Sequence, residues 1–209
     1  MSNIASLKKA IKEYPPKQST PWLTNSHSVN FVICLGAGPW RFTRRRSIQL
    51  RAIKLLKGKD LSEVTLFGKN FYDINHKKFN FYPLEWQNKF LAKMIIYLKK
   101  NNMTFNELCE KSIKKKTKFY IYKALEIKNH VKTISLFCRD SLKVESFPMD
   151  RHVKNILKKY KLPINEKIMI KLSKKINVDP RMISYGFVSS KIDKGNPDWT
   201  RKNDKSNSR

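Results

Sequence analysis

The chain has 209 residues, of which 40% are hydrophobic and 11% aromatic, enough to bury a core in one large domain or two small lobes. Its 45 Lys and Arg outnumber its 16 Asp and Glu, for a formal net charge of +29 at pH 7. A polyanion partner would relieve self-repulsion on this scale, and the phosphate backbone of nucleic acid is the partner that we expect. A general lysine-rich composition bias is the alternative explanation.

Three other classes of protein are not expected. The sequence has no run of about 18 apolar residues and no dominant basic amphipathic helix, so we expect no membrane role. Its first ten residues lack the apolar core of a signal peptide, which favours an intracellular protein. Cys34, Cys109 and Cys138 are odd in number and far apart, which is typical of reduced core thiols, and we expect no metal or other cofactor.

The predicted elements are almost all helices, so the predicted fold class is all-α. Residues 1–27 are polar and contain three prolines, and residues 193–209 are polar and basic, so both are expected to be flexible arms around a folded part, 28–192. Residues 67–82 are expected to be irregular or a short strand pair. Apolar residues at helical spacing predict helices near Val29–Leu35, Ser47–Leu56, Trp86–Leu98, Thr104–Ile113, Thr117–Ile127, Lys132–Arg139, Arg151–Tyr160, Glu166–Ile176 and Pro180–Ser190.

Capping residues support several of these helix starts, because Ser, Thr, Asp and Asn side chains accept hydrogen bonds from the first turn. An acidic residue three positions later completes a capping box, and proline suits the first helical position. The predicted caps are Asp60 with Glu63, Thr104 with Glu107, Asn165, and Asp179 before Pro180.

The most informative stretch runs from Lys128 to Arg139 and continues from Phe147 to Leu157. Its pattern indicates a helix, a tight turn, a second helix, a loop and a capped third helix. Lys132 is expected to open the second helix, and Asp150 to cap the third. Two side chains 18 positions apart would then converge on one cleft.

This stretch resembles the helix-hairpin-helix DNA glycosylases. Their lyase-active members carry a lysine at the start of the second hairpin helix and, about 18 residues later, an aspartate followed by any residue, histidine and an apolar residue. Lys132-Thr133 and Met149–Val153 match these elements over about 30 residues. A weaker likeness to the smaller 8-oxoguanine glycosylases, including the archaeal forms, covers 28–192 through Phe31–Leu35 and Asn88–Ala92.

The resemblance implies a two-lobed helical bundle, a central hairpin within about 117–160, and an active site between the lobes. It also implies a monomeric glycosylase and abasic-site lyase that acts on duplex DNA containing a damaged base. Lys132 would attack the anomeric carbon and form a Schiff base, and Asp150 would steer proton transfers and stabilise oxocarbenium-like charge. An ordinary lysine is neutral in only about one molecule in 2,500 at pH 7, so such a site has to lower its pKa.

Two features of the sequence, compared with the family pattern, bear on the expected substrate and on the expected DNA contacts. No cysteine follows Cys138, so the cluster-free branch is indicated, and its lyase-active members mostly excise oxidised purines, which makes 8-oxoguanine the leading substrate. The family's Gly-apolar-Gly turn is replaced, and the side chains there would contact phosphate instead. The expected DNA-binding residues are Lys128, Asn129, His130, Arg151, His152 and Lys154, and the expected base-pocket residues are Phe147, Pro148, Met149 and Trp40.

Alternatives stay open for most of these residues. Lys132 has the alternative of a solvated helix lysine, and Asp150 that of a purely structural cap. Arg41–Arg46 and Lys114–Lys116 are either phosphate-contacting patches or solvated charged faces. For the whole chain, the alternatives to the enzyme are a non-catalytic nucleic-acid-binding protein with a degenerate hairpin and a ribosomal or RNA-processing protein.

Overall fold

The structure of the chain, a computed structural model, describes residues 2–18, 24–36, 50, 53–54, 56, 58–67, 70–72, 78–79, 85–129 and 131–192. The described residues are mainly helical, which confirms the all-α class. The helices are α1 (Asn3–Glu13), α2 (His27–Leu35), α3 (Glu85–Lys100), α4 (Phe105–Lys114), α5 (Phe119–Ala124), α6 (Lys132–Asp140), α7 (Arg151–Lys159), α8 (Glu166–Lys175) and α9 (Pro180–Ile192).

The chain divides into two compact units. Unit 1 combines Met1–Trp22 with Glu145–Arg209, and unit 2 is the continuous segment Leu23–Val144. Unit 2 also contains a short 3₁₀ helix, η1 (Leu61–Glu63), and helical residues at 50, 53–54 and 56. The rest of the predicted helix Ser47–Leu56 and the predicted tail 193–209 lie outside the described residues.

A small antiparallel sheet in unit 2 lies partly within 67–82, the segment expected to be irregular or a short strand pair. Its strands are β1 (Thr65–Phe67), β2 (Asn70–Tyr72) and β3 (Lys78–Phe79), in the order β1-β2-β3. Phe71, at the centre of β2, pairs with Leu66 on one side and Phe79 on the other. Strands this short leave the fold class unchanged.

Three phenylalanines form the centre of the unit 2 core. Phe31 of α2 lies 5.1 Å from Phe105 of α4 and 5.3 Å from Phe137 of α6, measured between ring centroids. All three side chains are fully buried, so these helices share one apolar centre. The free thiols buried in this unit, as the cysteine spacing predicts, are Cys34, Cys109 and Cys138.

The start of α4 is capped twice. Thr104 and Glu107 form the predicted capping box, with each side chain bonded to the other residue's backbone N–H. Asp60, from 45 residues upstream, accepts the Phe105 N–H at 2.7 Å and the Asn106 N–H at 3.0 Å, and also caps η1. A single carboxylate therefore joins η1 to the first turn of α4.

The expectation of a flexible arm over 1–27 is wrong for residues 3–13, which form α1. Leu7 and Ala10 are fully buried in the unit 1 core, with Ile4 and Ile11 packed against it. These residues recur every three or four positions and give the helix one apolar face, so the polar composition describes only its other face. Pro15 and Pro16 lie just beyond the helix end.

A polar cluster attaches the end of α1 to α7. Lys159 donates to Glu13 at 2.6 Å, and the Tyr160 hydroxyl also donates to Glu13. These hydrogen bonds, with a further one from Tyr14, lower the pKa of Glu13 to about 2. The Tyr14 ring lies edge-on to Tyr160 and Phe187, with centroid distances of 6.3 and 6.0 Å.

The chain after α1 runs directly against α9. The Lys17 N–H donates to the Met182 carbonyl at 3.1 Å. A methyl group added at Gly186 would overlap the Pro15 carbonyl oxygen and lie 3.0 Å from its carbon. Glycine is therefore required where the backbone crosses this helix.

No helix in the described part of the chain is both long and apolar enough to cross a membrane.

Candidate nucleic-acid site

In unit 2, α5 and α6 follow one another over the residues for which a hairpin is expected, and the hairpin itself stays a prediction. Helix α5 ends with the Ile127 N–H bonded to the Tyr122 carbonyl at 2.9 Å and with Glu126 at a φ of 54°. Glu126 therefore supplies the left-handed residue that glycine usually provides at a helix end. Lys128 and Asn129 follow as exposed turn residues, and His130 lies outside the described part of the chain.

Lys132 is the first residue of α6, as predicted from the sequence. Val131 precedes it in an extended conformation and makes no side-chain cap. Lys132 is half-buried, whereas Thr133 is only 4% exposed. The Tyr122 hydroxyl and Ser135 Oγ lie 3.0 Å apart and connect α5 to the first turn of α6. One side-chain hydrogen bond therefore links α5 to the helix that Lys132 begins.

Asp150 is the N-cap of α7, which confirms the predicted cap. Its Oδ1 accepts the Val153 N–H at 2.7 Å, and its backbone is extended at φ −81° and ψ 175°. Among the described residues, no hydrogen bond reaches the other oxygen, Oδ2. The cap therefore uses one carboxylate oxygen and leaves the second as an acceptor for another group.

Glu166, the first residue of α8, holds the segment that leads to Asp150. Its buried Oε1 accepts hydrogen bonds from the Ser146 hydroxyl at 3.0 Å and the Phe147 N–H at 2.8 Å. Glu145, the residue before Ser146, forms an ion pair with Lys174 at 2.6 Å. Glu166 is not among the site residues expected from the sequence, because a first-turn glutamate after the Asn165 cap usually lies in solvent and interacts with the helix dipole.

The predicted base-pocket residues of this segment are buried. Phe147 is fully buried in the unit 1 core, with its ring edge-on to Phe187 at 6.2 Å, and Met149 is 6% exposed. Pro148 is buried as well. In this structure Phe147 has no exposed face on which a base could stack, so its contact with a base would require rearrangement. The predicted pocket residue Trp40 lies outside the described residues.

One face of α7 is cationic. Arg151, Lys154 and Lys158 are exposed at three- and four-residue spacing, and Val153 with Leu157 is buried on the opposite side. None of these three cations has an ion-pair partner in the described part of the chain. His152 is half-buried. This face can bind phosphate without first breaking internal ion pairs.

The structure positions each candidate residue within its own unit. Lys132 belongs to unit 2, whereas Asp150 belongs to unit 1. Their convergence on one cleft stays a prediction. The predicted patch Arg41–Arg46 lies outside the described residues, and Lys114–Lys116 is exposed.

Comparisons with protein-family models, with curated proteins and with solved structures find no match to this chain. Within the described residues, no three His, Cys, Asp or Glu side chains are grouped so that they could hold a metal ion. The residues around the starts of α6 and α7 are therefore the structural basis for proposing a function.

Proposed function

We propose that the chain is a DNA glycosylase with abasic-site lyase activity that removes an oxidised base, with 8-oxoguanine favoured, from duplex DNA. The observation that carries the proposal is that Lys132 and Asp150 occupy the two helix starts that the family pattern requires. Lys132 opens α6 after a tight turn, and Asp150 caps α7. The proposed active site lies between two lobes of a helical bundle.

The proposed reaction uses one amine and one carboxylate. The neutral Lys132 amine forms a bond to the anomeric carbon while the bond to the base breaks, and the departing base takes up a proton. Opening of the sugar ring gives a Schiff base, and removal of the adjacent carbon's proton then expels the 3′ phosphate. Asp150 can support charge on the sugar through Oδ2 while Oδ1 keeps the Val153 hydrogen bond.

A specific observation supports a second candidate, a non-catalytic nucleic-acid-binding protein. The turn between α5 and α6 presents the exposed carboxylate of Glu126, which pairs with Lys93 at 2.6 Å. A negative side chain at this turn opposes the close approach of a phosphate, and the turn has no glycine whose backbone could approach instead. A protein with a degenerate hairpin would tolerate such a residue.

Borohydride trapping separates the two candidates. We expect the wild-type protein to form a covalent complex with duplexes carrying 8-oxoguanine and to nick an abasic-site duplex. Lys132→Gln should abolish both, since it removes the amine that forms the Schiff base. Lys123→Gln, at an exposed position on α5, is the matched control and should keep both activities. Parallel duplexes with thymine glycol and uracil measure the lesion preference.

Asp150→Asn tests the carboxylate separately from the cap. Asparagine is as good an N-cap as aspartate, so the fold should be retained. Base removal should slow by about 100-fold or more, with duplex affinity nearly unchanged. Parallel losses of affinity and stability would make Asp150 a structural cap only. An abasic duplex that stays intact with the wild-type protein, or trapping that persists in Lys132→Gln, would refute the proposed mechanism.

A further inference from the structure

A second positively charged surface lies in unit 2, on residues other than those proposed for the active site. Residues 111–125 contain six lysines and no acidic residue. They form the end of α4, a short connection and α5. Lys114, Lys115 and Lys116 are consecutive and exposed, and none has an ion-pair partner in the described part of the chain.

An aromatic ring is exposed within this positive surface. Phe119, the first residue of α5, is 59% exposed, more than any other large hydrophobic residue among the described ones. Its ring meets the Tyr120 ring edge-on, with centroids 5.5 Å apart and an interplanar angle of 76°. This contact supports the Phe119 ring from one side and leaves much of its surface open to solvent.

The neighbouring tyrosines are held by cations. Lys111 lies over the Tyr120 ring at 5.1 Å, and Lys118 lies over the Tyr122 ring at 4.8 Å. The Phe119 N–H donates to Thr117 Oγ1 at 3.1 Å, which fixes the start of α5. The exposed Phe119 ring is therefore attached to a hydrogen-bonded helix start and packs against a tyrosine that is itself in contact with a lysine.

We propose that this surface, the Phe119 platform, binds single-stranded nucleic acid. The platform consists of Phe119, Tyr120, Lys111 and Lys114–Lys116. An unpaired base stacks on the Phe119 ring, and the lysines contact the phosphates on either side. The combination of an exposed ring with uncompensated cations suits a ligand that has both flat apolar faces and negative charge.

The same chemistry excludes a duplex as the ligand of the platform. Base faces in a duplex are covered by their neighbours, so a ring on the protein surface can stack only on an unpaired base. This inference goes beyond the proposed glycosylase and does not depend on it, because the platform would bind single strands whether or not Lys132 is a nucleophile.

Binding of a labelled oligothymidine, measured by fluorescence anisotropy at several salt concentrations, tests the proposal. The comparison strand has the same length but carries tetrahydrofuran in place of every nucleoside, so it keeps the phosphates, lacks the bases and resists lyase cleavage. We expect Phe119→Ala to weaken oligothymidine binding about tenfold and to leave binding of the base-free strand unchanged. Phe119→Tyr should restore wild-type affinity.

Two further variants complete the experiment. Replacing Lys114, Lys115 and Lys116 by glutamine should weaken binding of both strands and reduce the slope of log K against log salt by about 2. Ile96→Ala, at a position 57% exposed on α3, controls for loss of an exposed hydrophobic side chain and should change neither affinity.

Equal affinity of wild type and Phe119→Ala for oligothymidine would overturn the proposal, as would wild-type protein that binds both strands equally. Competition by phosphatidylserine vesicles or polyglutamate as effective as that by oligothymidine would also overturn it, because neither competitor offers a base to stack. Since all variants change exposed side chains, thermal melts should show that each one folds.

Discussion

His27 begins α2, and its imidazole is half-buried. Its Nδ1 lies 3.1 Å from Ser141 Oγ, and Asn30 Nδ2 donates to the same oxygen at 3.1 Å. Desolvation lowers the pKa of His27 below its usual 6.5, while the charge of Glu110 raises it by a smaller amount. The uncharged ring is therefore the form that suits the folded protein.

This shift predicts how stability changes with pH. Because the folded pKa is the lower one, the unfolded chain binds more protons, and the free energy of unfolding should fall as pH drops from 7.5 through 6.5 to 5.5. His27→Gln should remove this part of the pH dependence, at a cost of about 1 kcal/mol at pH 7.5 from lost hydrogen bonding. Urea unfolding at a series of pH values measures both.

Glu110→Gln is the matched variant for this prediction. It removes the charge that raises the His27 pKa, so the stability loss on acidification should become larger than in the wild-type protein. Parallel pH profiles for wild type and His27→Gln would show that His27 contributes nothing to the pH dependence.

At residues 86 and 87, side-chain hydrophobicity does not predict which residue is buried. The sequence places Trp86 in the apolar stripe of the helix, yet it is 39% exposed and Gln87 is fully buried. The amide of Gln87 donates to the Leu35 carbonyl at 2.8 Å, which satisfies the end of α2. Gln87 continues the buried side of α3 formed by Leu91, Met94, Ile95 and Leu98. Its hydrogen-bond partner lies 52 positions away, so no local pattern contains it.

The backbone of the segment after α1 passes close to helix α9 at Gly186. In an ordinary helix interior, replacing glycine by alanine adds about 0.8–1 kcal/mol of stability. At Gly186 the new methyl group would overlap the carbonyl oxygen and approach the carbonyl carbon of Pro15. Both are backbone atoms, which cannot move aside as a flexible side chain could. Steric overlap therefore outweighs helix propensity here.

We predict that Gly186→Ala destabilises the protein by about 1–3 kcal/mol, as overpacking does, although alanine favours helix. Ser189→Ala lies in the same helix, adds no atoms and removes only the hydrogen bond to the Gly186 carbonyl, so its effect should be smaller. Urea unfolding gives the free energies, and limited proteolysis reports whether residues 14–18 detach. An increase in stability on Gly186→Ala would contradict the predicted contact.

Helix starts were largely predictable from the sequence, because a cap is a local interaction. Thr104, Asn165 and Asp150 each accept the backbone hydrogen bond that their position predicts. Helix α1 was missed because its apolar face is narrow and the surrounding composition is polar. Its partners in α8 and in the rest of the unit 1 core lie at the other end of the chain, so local composition does not reveal them.

The candidate site was also predictable from the sequence only where it depends on local interactions. The positions of Lys132 and Asp150 at helix starts follow from short-range spacing. The buried carboxylate of Glu166, which holds the segment before Asp150, depends on packing across 20 residues. The exposure of Phe119 likewise could not be predicted from the sequence, because an aromatic residue beside apolar neighbours is normally a core residue.

The charge of the whole molecule acts against its own stability. Its 45 basic and 16 acidic residues leave most cations without an acidic partner. Several ion pairs of the described residues are exposed, including Lys93–Glu126, Lys159–Glu13 and Lys174–Glu145. Exposed pairs stabilise the fold by about 0–1 kcal/mol each. Salt should therefore affect stability mainly by screening the repulsion among the excess cations.

We therefore predict that the melting temperature rises when NaCl is increased from 10 to 150 mM. Over this range the screening length falls from about 30 Å to about 8 Å, which weakens repulsion between distant cations more than it weakens close ion pairs. Differential scanning fluorimetry measures the shift, and glucose at equal osmolality is the control for general solute effects. A lower melting temperature at 150 mM would mean that the local ion pairs dominate.

The division of unit 1 between the two ends of the chain imposes an order of events during translation. Helix α1 leaves the ribosome first, but α7, α8 and α9 are the last described helices to be made. At about 5–20 residues per second, Leu7 and Ala10 wait on the order of ten seconds for the surfaces that bury them. Unit 2 is continuous and can be complete before that moment. The apolar face of this segment therefore stays uncovered in the nascent protein, where a chaperone can bind it, until α7, α8 and α9 have been synthesised.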